Sequence, residues 1–468
     1  MPFSSIDWFN RGHPSRLRKN LRIGVAEGVL ATPYVFLYVG GNLVLAALLT
    51  QVFQVSKGMY GLIVALPALC NAIQILAIPF LARMMDAKRM ALGFSWAYLV
   101  VWVAMALALP FIPVDNPAQA AWWFLIFLGV NSLFQAIAGV AWTSWVQEWV
   151  PQRLRGKYFG RRNRWISLAT ILFLLASAKW IEWVGSGVTG YQTLFLLVAV
   201  LRFFSIAWQH RIVSPANDQD KLAHVGWWGQ LGRLGRDRNF VRLVLFGAAV
   251  SFLLNTNAPY GAVYLYEFIQ LSVFQVSILV IVASLAGAFA LPLWGQLADR
   301  YGCKTIILLG LFLWGGISLW WPFLHVAFTW PLYVMWGLGG LGMAGFGLGW
   351  FNLILKVIPP QAKIAGISLN TALVSIAAAI GPVLMGMFLQ MADRVEWISV
   401  RSTYLIAFTA VPVAVMMSVV LLRRVDEPEA DGMNAVFGAM RTARQIMVLQ
   451  GLAFLANVTP FRQRRRGK

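Results

Sequence analysis

Twelve times along this chain an apolar stretch runs on for about 20 residues or more, and no other feature restricts the fold so strongly. A helix rising 1.5 Å per residue needs about 20 residues to cross the hydrocarbon core of a bilayer. The runs are continuous and do not alternate in polarity, which excludes membrane strands. Charged residues make up 12% of the chain, about half the share in soluble domains, and mean hydropathy is +0.69. The expected fold is an all-α membrane protein with twelve transmembrane helices. Spans are expected at 21–50, 57–82, 90–112, 119–147, 165–185 and 190–210, then at 242–267, 272–298, 304–325, 328–357, 362–391 and 401–422. The first run is too long for a signal-peptide core, so it is read as a retained span.

Net charge is +21, which in a soluble chain would point to nucleic acid. Here the basic residues sit in alternate connections. With the N-terminus inside, 33 of them fall in inner segments and 4 in outer ones. This bias obeys the positive-inside rule, places both termini in the cytoplasm and makes a nucleic-acid partner unnecessary. Cys70 and Cys303, one in mid-span and one in a polar turn, imply neither a disulfide framework nor a metal site. The four scattered histidines have no ligand spacing.

One compact turn carries the clearest motif. The run 291–298 gives way to Asp299, Arg300, Gly302 and Lys304 before apolar residues resume. So short a turn sets two long helices antiparallel. Gly302 is suited to positive φ, and Gly295, one turn earlier, is expected to allow a close helix contact. Asp86, with Lys88 and Arg89 behind it, reads as a worn second copy, since Pro79 and Pro292 each stand seven residues before their aspartate. Asp86 and Asp299 are 213 apart, and Pro151 and Pro360 are 209 apart. These offsets argue for a duplicated six-span unit with a binding site between the halves. The expected division is a cytoplasmic segment 1–20, a first bundle 21–212, a linker 213–241, a second bundle 242–423 and a cytoplasmic tail 424–468. Within the linker, Trp227, Trp228, Leu231 and Leu234 either lie on the membrane with Arg233 and Arg236 toward headgroups, or belong to an ordinary loop. In the tail, 433–458 reads as an interfacial helix with a basic end, too short in its apolar part to span.

Gly295-x-Leu297-Ala298-Asp299-Arg300-x-Gly302-x-Lys304 resembles the signature between spans eight and nine of the major facilitator superfamily of secondary transporters. Asp86-x-Lys88-Arg89 looks like its counterpart between spans two and three. Pro151 to Gly160, with Arg155 and Gly156, is similar to the basic loop that many members carry after span four. The resemblance covers 21–423. It implies two pseudo-symmetric six-helix bundles that rock about a central cavity lined by spans one, four, seven and ten, in a permease of the bacterial inner membrane. It also implies that the turn after span eight meets span five, where Arg161, Arg162 and Arg164 would face Asp299. Asp86 would likewise meet the start of span eleven, near Pro359, Pro360 and Lys363. The expected role of these contacts is to latch the cytoplasmic side shut.

Amide side chains at mid-membrane are expensive unless they are paired or line a cavity. Asn131 and Gln135 share a face of span four, and Asn71 and Gln74 share one of span two. Span seven offers Asn255, Asn257, Tyr260 and Tyr264 around Pro259, and span ten ends with Trp350 and Asn352. Together they read as a cavity lining for a sugar or another neutral hydroxylated solute, while each amide alone reads equally as interhelical glue. Glu27 and Arg202 are the intramembrane charges considered for coupling to a proton or sodium ion. Glu27 as a partner of nearby inner-loop arginines is the competing reading. No catalytic constellation and no phosphate loop stand out, so neither an enzyme nor a bound cofactor is expected. The expected partners are a small solute, a coupling ion and the bilayer, with the protein a monomer. Efflux of amphipathic compounds, suited by 22 tryptophans, is the alternative within transporters, and a receptor on the same fold is the alternative outside them.

Overall fold

The computed structural model describes residues 15–39, 41–81, 85–214, 227–324, 329–358, 363–395 and 399–427. Twelve long helices follow one another in the order α1 Ser15–Tyr38, α2 Lys57–Leu81, α3 Ala87–Ala108, α4 Pro117–Trp149, α5 Gln152–Val184 and α6 Val188–His210, then α7 Arg238–Glu267, α8 Val273–Tyr301, α9 Cys303–Ser318, α10 Trp330–Val357, α11 Lys363–Asp393 and α12 Val400–Arg423. Among the described residues eleven helical stretches are long and apolar enough to cross a membrane, and α2 is apolar over 57–73. Within the first half α3 packs on α4 and α1 on α6. In the second, α10 packs on α8 and α9, and α7 on α11 and α12. Across the halves α2 lies along α11 and α5 along α8. The result is a multi-pass membrane protein of two six-helix bundles. Phe111, Trp183 and Phe323, each at least 80% exposed, stand at helix ends that the charge bias assigns to the outer side, where aromatic rings suit the membrane interface.

Several helix limits depart from the apolar pattern for identifiable reasons. The first run does not stay one helix. Gly41 takes φ +76 and Asn42 caps the short helix Leu43–Ala47, which passes into a π-helical turn over Leu48–Val52. The basic stretch after α4 is not a loop, because α5 starts directly after Pro151 and is helical through all its arginines. Leu154 and Tyr158, one turn apart and both buried, give that stretch an inward face. At the motif turn α8 continues through Asp299 to Tyr301, and Gly302 alone turns the chain at φ +83 before α9 begins. A helix Trp227–Arg236 lies in the linker, with Leu234 buried in the second half's core and Leu231 against it. Pro359, Pro360, the Gln74, Gly156 and Lys363 side chains, and the tail segment 433–458 lie outside the described residues.

The repeat is real, but its register is not the one read from the aspartates. Gln54 and Gln270, 216 apart, are the non-glycine residues of positive φ. Just after each, the Val55 and Leu271 amides donate to Leu49 and Leu265 carbonyls at 2.9 and 3.0 Å, again 216 apart. Lys88 Nζ donates to the Ile212 carbonyl and Lys304 Nζ to the Val425 carbonyl, both at 2.7 Å. Asn20 exchanges two hydrogen bonds with the Val213 backbone, and Asn239 does the same with Asp426. Matching Lys88 to Lys304 puts Asp86 opposite Gly302, so Asp86 is not the counterpart of Asp299. It is the N-cap of α3, accepting from the Arg89 amide at 2.6 Å and pairing with the Arg89 side chain at 3.3 Å.

Candidate functional site

The described hydrogen bonds between the halves gather at one end of the bundle. The Tyr60 hydroxyl of α2 donates to the Pro259 carbonyl of α7 at 3.0 Å. The Tyr260 hydroxyl donates to the Pro382 carbonyl of α11 at 2.8 Å and lies 3.2 Å from the Lys57 carbonyl of α2. The Tyr266 hydroxyl reaches the Leu43 carbonyl at 3.0 Å, and Lys57 Nζ forms an ion pair with Glu267. The rings of Tyr60 and Tyr260 meet edge to face at 5.4 Å. Glycines permit this closeness, since a Cβ on Gly61 would strike the Pro382 carbonyl and one on Gly386 the Lys57 carbonyl. Tyr260, expected in the cavity wall, belongs to this junction.

At the opposite end the basic groups are tied mostly within each half. Lys88 and Lys304 anchor the ends of α6 and α12 as described, and Arg155 donates to the Gln147 and Val150 carbonyls that finish α4. Glu427, its side chain fully buried, accepts from the Cys303 and Lys304 amides at 2.8 and 2.9 Å and pairs with Lys356 at 2.9 Å. Burial alone would push the Glu427 carboxyl up. The two amides and the ammonium outweigh burial and hold it below the usual carboxylate range. Asp299 and Arg164 are exposed, and Asp299 makes no ion pair among the described residues. Arg300 is exposed and lies over the Tyr301 ring, and Arg161 is half-buried. A Cβ on Gly295 would meet nothing within 4 Å, so the close contact expected there is not made.

Inside the first half a polar chain links five helices. Glu27 of α1, 1% exposed, accepts from Arg162 of α5 at 3.1 Å and from Gln209 of α6 at 2.7 Å. Arg162 also donates to the Gly24 carbonyl and lies 4.5 Å from the centre of the Trp142 ring. Arg202 does not reach Glu27. It donates to the Tyr98 hydroxyl at 2.6 Å and to Ser205 at 2.7 Å. Asn131, 1% exposed, accepts from Tyr34 at 2.8 Å and donates to the Tyr98 carbonyl at 3.0 Å. These bonds consume the polar capacity that the sequence reading assigned to a solute.

The other expected cavity residues scatter. Asn255 returns its amide to the Ser251 carbonyl at 2.8 Å, one turn back in its own helix. Trp350 packs on Phe246 at 5.8 Å inside the second half, and Tyr264 stacks among Tyr404, Phe408 and Trp321. Asn71, Gln135 and Asn352 are half-buried, and Gln135 Oε1 has no partner. Asn257 does line a cavity, of about 570 Å³, bounded by α7, α8, α9, α10, α12 and the end of α1. Trp314, Trp321 and Trp336 dominate its aromatic wall. Sequence reasoning missed this chamber because its walls come from five helices of one half, each apolar over most of its surface.

Fold and site together define a class, that of membrane proteins in which two related helical bundles meet at a junction, here rich in tyrosine, with a chamber lined mostly by the second bundle beside it. The model of the Major Facilitator Superfamily matches residues 31–264 and again 243–461, so the chain belongs to that superfamily. No curated protein matches the sequence. Solved structures share the fold at low identity. The nucleoside transporter NupG is 12% identical, with a TM-score of 0.65, covering 88% of this chain and 100% of its own. The D-xylose-proton symporter is 14% identical, with a TM-score of 0.63, over 90% of this chain and 100% of its own. A bacterial homologue of the human lysosomal transporter Spinster, inward-facing and unoccupied, is 16% identical, with a TM-score of 0.60, over 93% and 99%.

Proposed function

We propose that this chain is a secondary transporter that moves a small solute by alternating access, and that its structure is the state closed to the outside. The carrying observation is the asymmetry between the two ends. Tyr60, Tyr260, Tyr266 and the Lys57–Glu267 pair bind the halves at one end, while Asp299 and Gly295 lack their expected contacts at the other. The positive-inside bias assigns the bound end to the outer face and both termini to the cytoplasm. In the return step Asp299 would close on the guanidinium groups of α5, Arg161 and Arg164 among them, which lie inside that helix and favour a carboxylate by charge. The domain limits proposed from the sequence, 21–212 and 242–423, bound the two rocking bodies.

The driving ion is proposed to be a proton or sodium ion, the choice being read from uptake with each gradient imposed singly. Glu27 is assigned a tie between α1, α5 and α6 in place of a coupling role, because its carboxylate is held by Arg162 and Gln209 together. Of the two solute classes weighed, an amphipathic one is favoured over a sugar, because Asn131 and Asn255 spend their amides within the protein.

Labelling from each side tests the cycle. Val64, one turn from Tyr60 on the same face of α2, is 7% exposed. A Val64→Cys protein, with the two native cysteines replaced, is expected to resist an impermeant thiol reagent added outside. Adding Glu267→Gln, which removes the ion pair, is expected to make it reactive. Equal labelling with and without Glu267→Gln would refute the gate.

A further inference from the structure

The chamber beside α7 has a composition that specifies a ligand. Trp321 stacks 4.4 Å from Phe408 and edge to face with Trp336 at 5.4 Å, making a continuous aromatic wall. Gly261, Ala262, Ala283, Gly339 and Gly340, all small, lie among the other lining residues. A volume of about 570 Å³ is in the range of sites that enclose small organic molecules. None of the lining residues is charged, so a ligand entering with a net charge would lose its hydration without a counter-ion.

The polar inventory of this chamber is short. Asn42 uses its amide on the Leu37 and Val39 carbonyls and its oxygen on the Leu45 amide. Ser318 donates to the Trp314 carbonyl at 2.7 Å. Asn257 donates from Nδ2 to the Ala407 carbonyl at 3.0 Å, but its Oδ1 is buried with no partner. In this state Oδ1 is closed to water, and a turn of the Asn257 side chain toward the chamber is what would let one ligand donor remove the standing penalty of an unsatisfied acceptor. A sugar, with several hydroxyls to satisfy, would find that one acceptor and little else.

We propose that this chamber binds a neutral aromatic solute that donates one hydrogen bond to Asn257 Oδ1, and that such molecules are what the protein carries. The second half of this statement rests on the transporter reading above. The first half does not. Phe36, Val39 and Leu43 of the first half also line the chamber, so separation of the halves at the Tyr60–Tyr260 junction would open one of its walls. Access of the ligand is thereby tied to the gate.

The test uses the full chain in detergent, with tritiated 2-naphthol as the probe and excess unlabelled 2-naphthol defining the saturable fraction. Saturable binding is expected. 2-Methoxynaphthalene, which keeps the rings and lacks the donor, is expected to compete roughly tenfold less well, the effect of one lost hydrogen bond. D-xylose is expected not to compete. Asn257→Leu, close in shape, should bring the two naphthalenes to equal affinity, and Ala262→Trp, which fills the chamber, should abolish saturable binding of both. Retention of the monodisperse elution profile checks that each variant is folded. Absence of saturable 2-naphthol binding to the unmodified protein, displacement by D-xylose, or an unchanged tenfold preference in Asn257→Leu would overturn the assignment. If binding depends on Asn257 while Val64→Cys never responds to Glu267→Gln, the site stands and the alternating-access reading falls. If the labelling responds and 2-naphthol does not bind, only the ligand assignment falls.

Discussion

Glu27 illustrates what one residue can reveal. Its position in an apolar run marks it as costly, and an inner-loop arginine was one expected partner, but nothing in the sequence distinguished Arg162 from its neighbours. Arg162 wins because it lies on the face of α5 that meets α1 near Gly28, where the missing side chain leaves room for the guanidinium, while Gly24 makes room for Tyr158 and offers Arg162 its carbonyl. Glu27→Leu leaves Arg162 buried without a counter-charge and is expected to destabilise the protein by about 3–5 kcal/mol. The double variant Glu27→Leu/Arg162→Met should recover most of that in thermal unfolding, and no recovery would mean that the pair is not the cause. Glu427 makes a pH prediction. Its folded pKa is depressed, so its stabilising contribution is complete above the ordinary carboxylate pKa of about 4.3 and is lost as pH falls through the lower folded value. Glu427→Gln should therefore lower the melting temperature at pH 7, and the deficit should vanish at a pH below the folded value, where the native side chain is protonated too. The groups facing it are Lys356 and the Cys303 and Lys304 amides.

Among elements, the pairing of α2 with α11 depends on glycines that the sequence displays without explanation. Gly58 faces Gln390, and Gly61 faces the Pro382 carbonyl and the Tyr260 hydroxyl. Gly61→Ala is expected to wedge these helices apart, costing about 1–3 kcal/mol in the outward-closed state and exposing Val64→Cys to an external reagent without any change of charge. Unaltered labelling would show that the junction tolerates a methyl group and is looser than the contacts indicate. The repeat belongs to this scale too. It was legible in Gln54-Val-Ser56 and Gln270-Leu-Ser272, whose offset of 216 is shared by Lys88 and Lys304, while the carbonyls those lysines reach, Ile212 and Val425, are 213 apart. Asp86 and Asp299 differ because one caps a helix and the other sits in the last turn of one.

For the whole molecule, the ends matter more than the middle. Asp299 is exposed and makes no ion pair among the described residues, so Asp299→Asn should leave the thermal stability unchanged. The same change should weaken the opposite state, where the carboxylate would gain its partners, and should raise the resting population of the state seen here. Reduced external labelling of the Val64→Cys, Glu267→Gln protein on adding Asp299→Asn would support that role, and unchanged labelling would reduce the motif turn to a packing element. The ends away from the tyrosine junction are clamped alike in both halves, by Asn20 and Lys88 in one and Asn239 and Lys304 in the other.

By itself the sequence determined the number and order of the spans and the superfamily. Lipid leaves the chain few choices, since backbone polar groups must be satisfied within a helix. Tertiary structure alone decided which amides were spent inside the protein, which arginine took Glu27, and which end was shut. Those outcomes depend on how each helix is rotated about its own axis. A helix that is apolar nearly all round carries little periodic signal to say which face it buries. The chamber beside Asn257 exists only once five such rotations are set together.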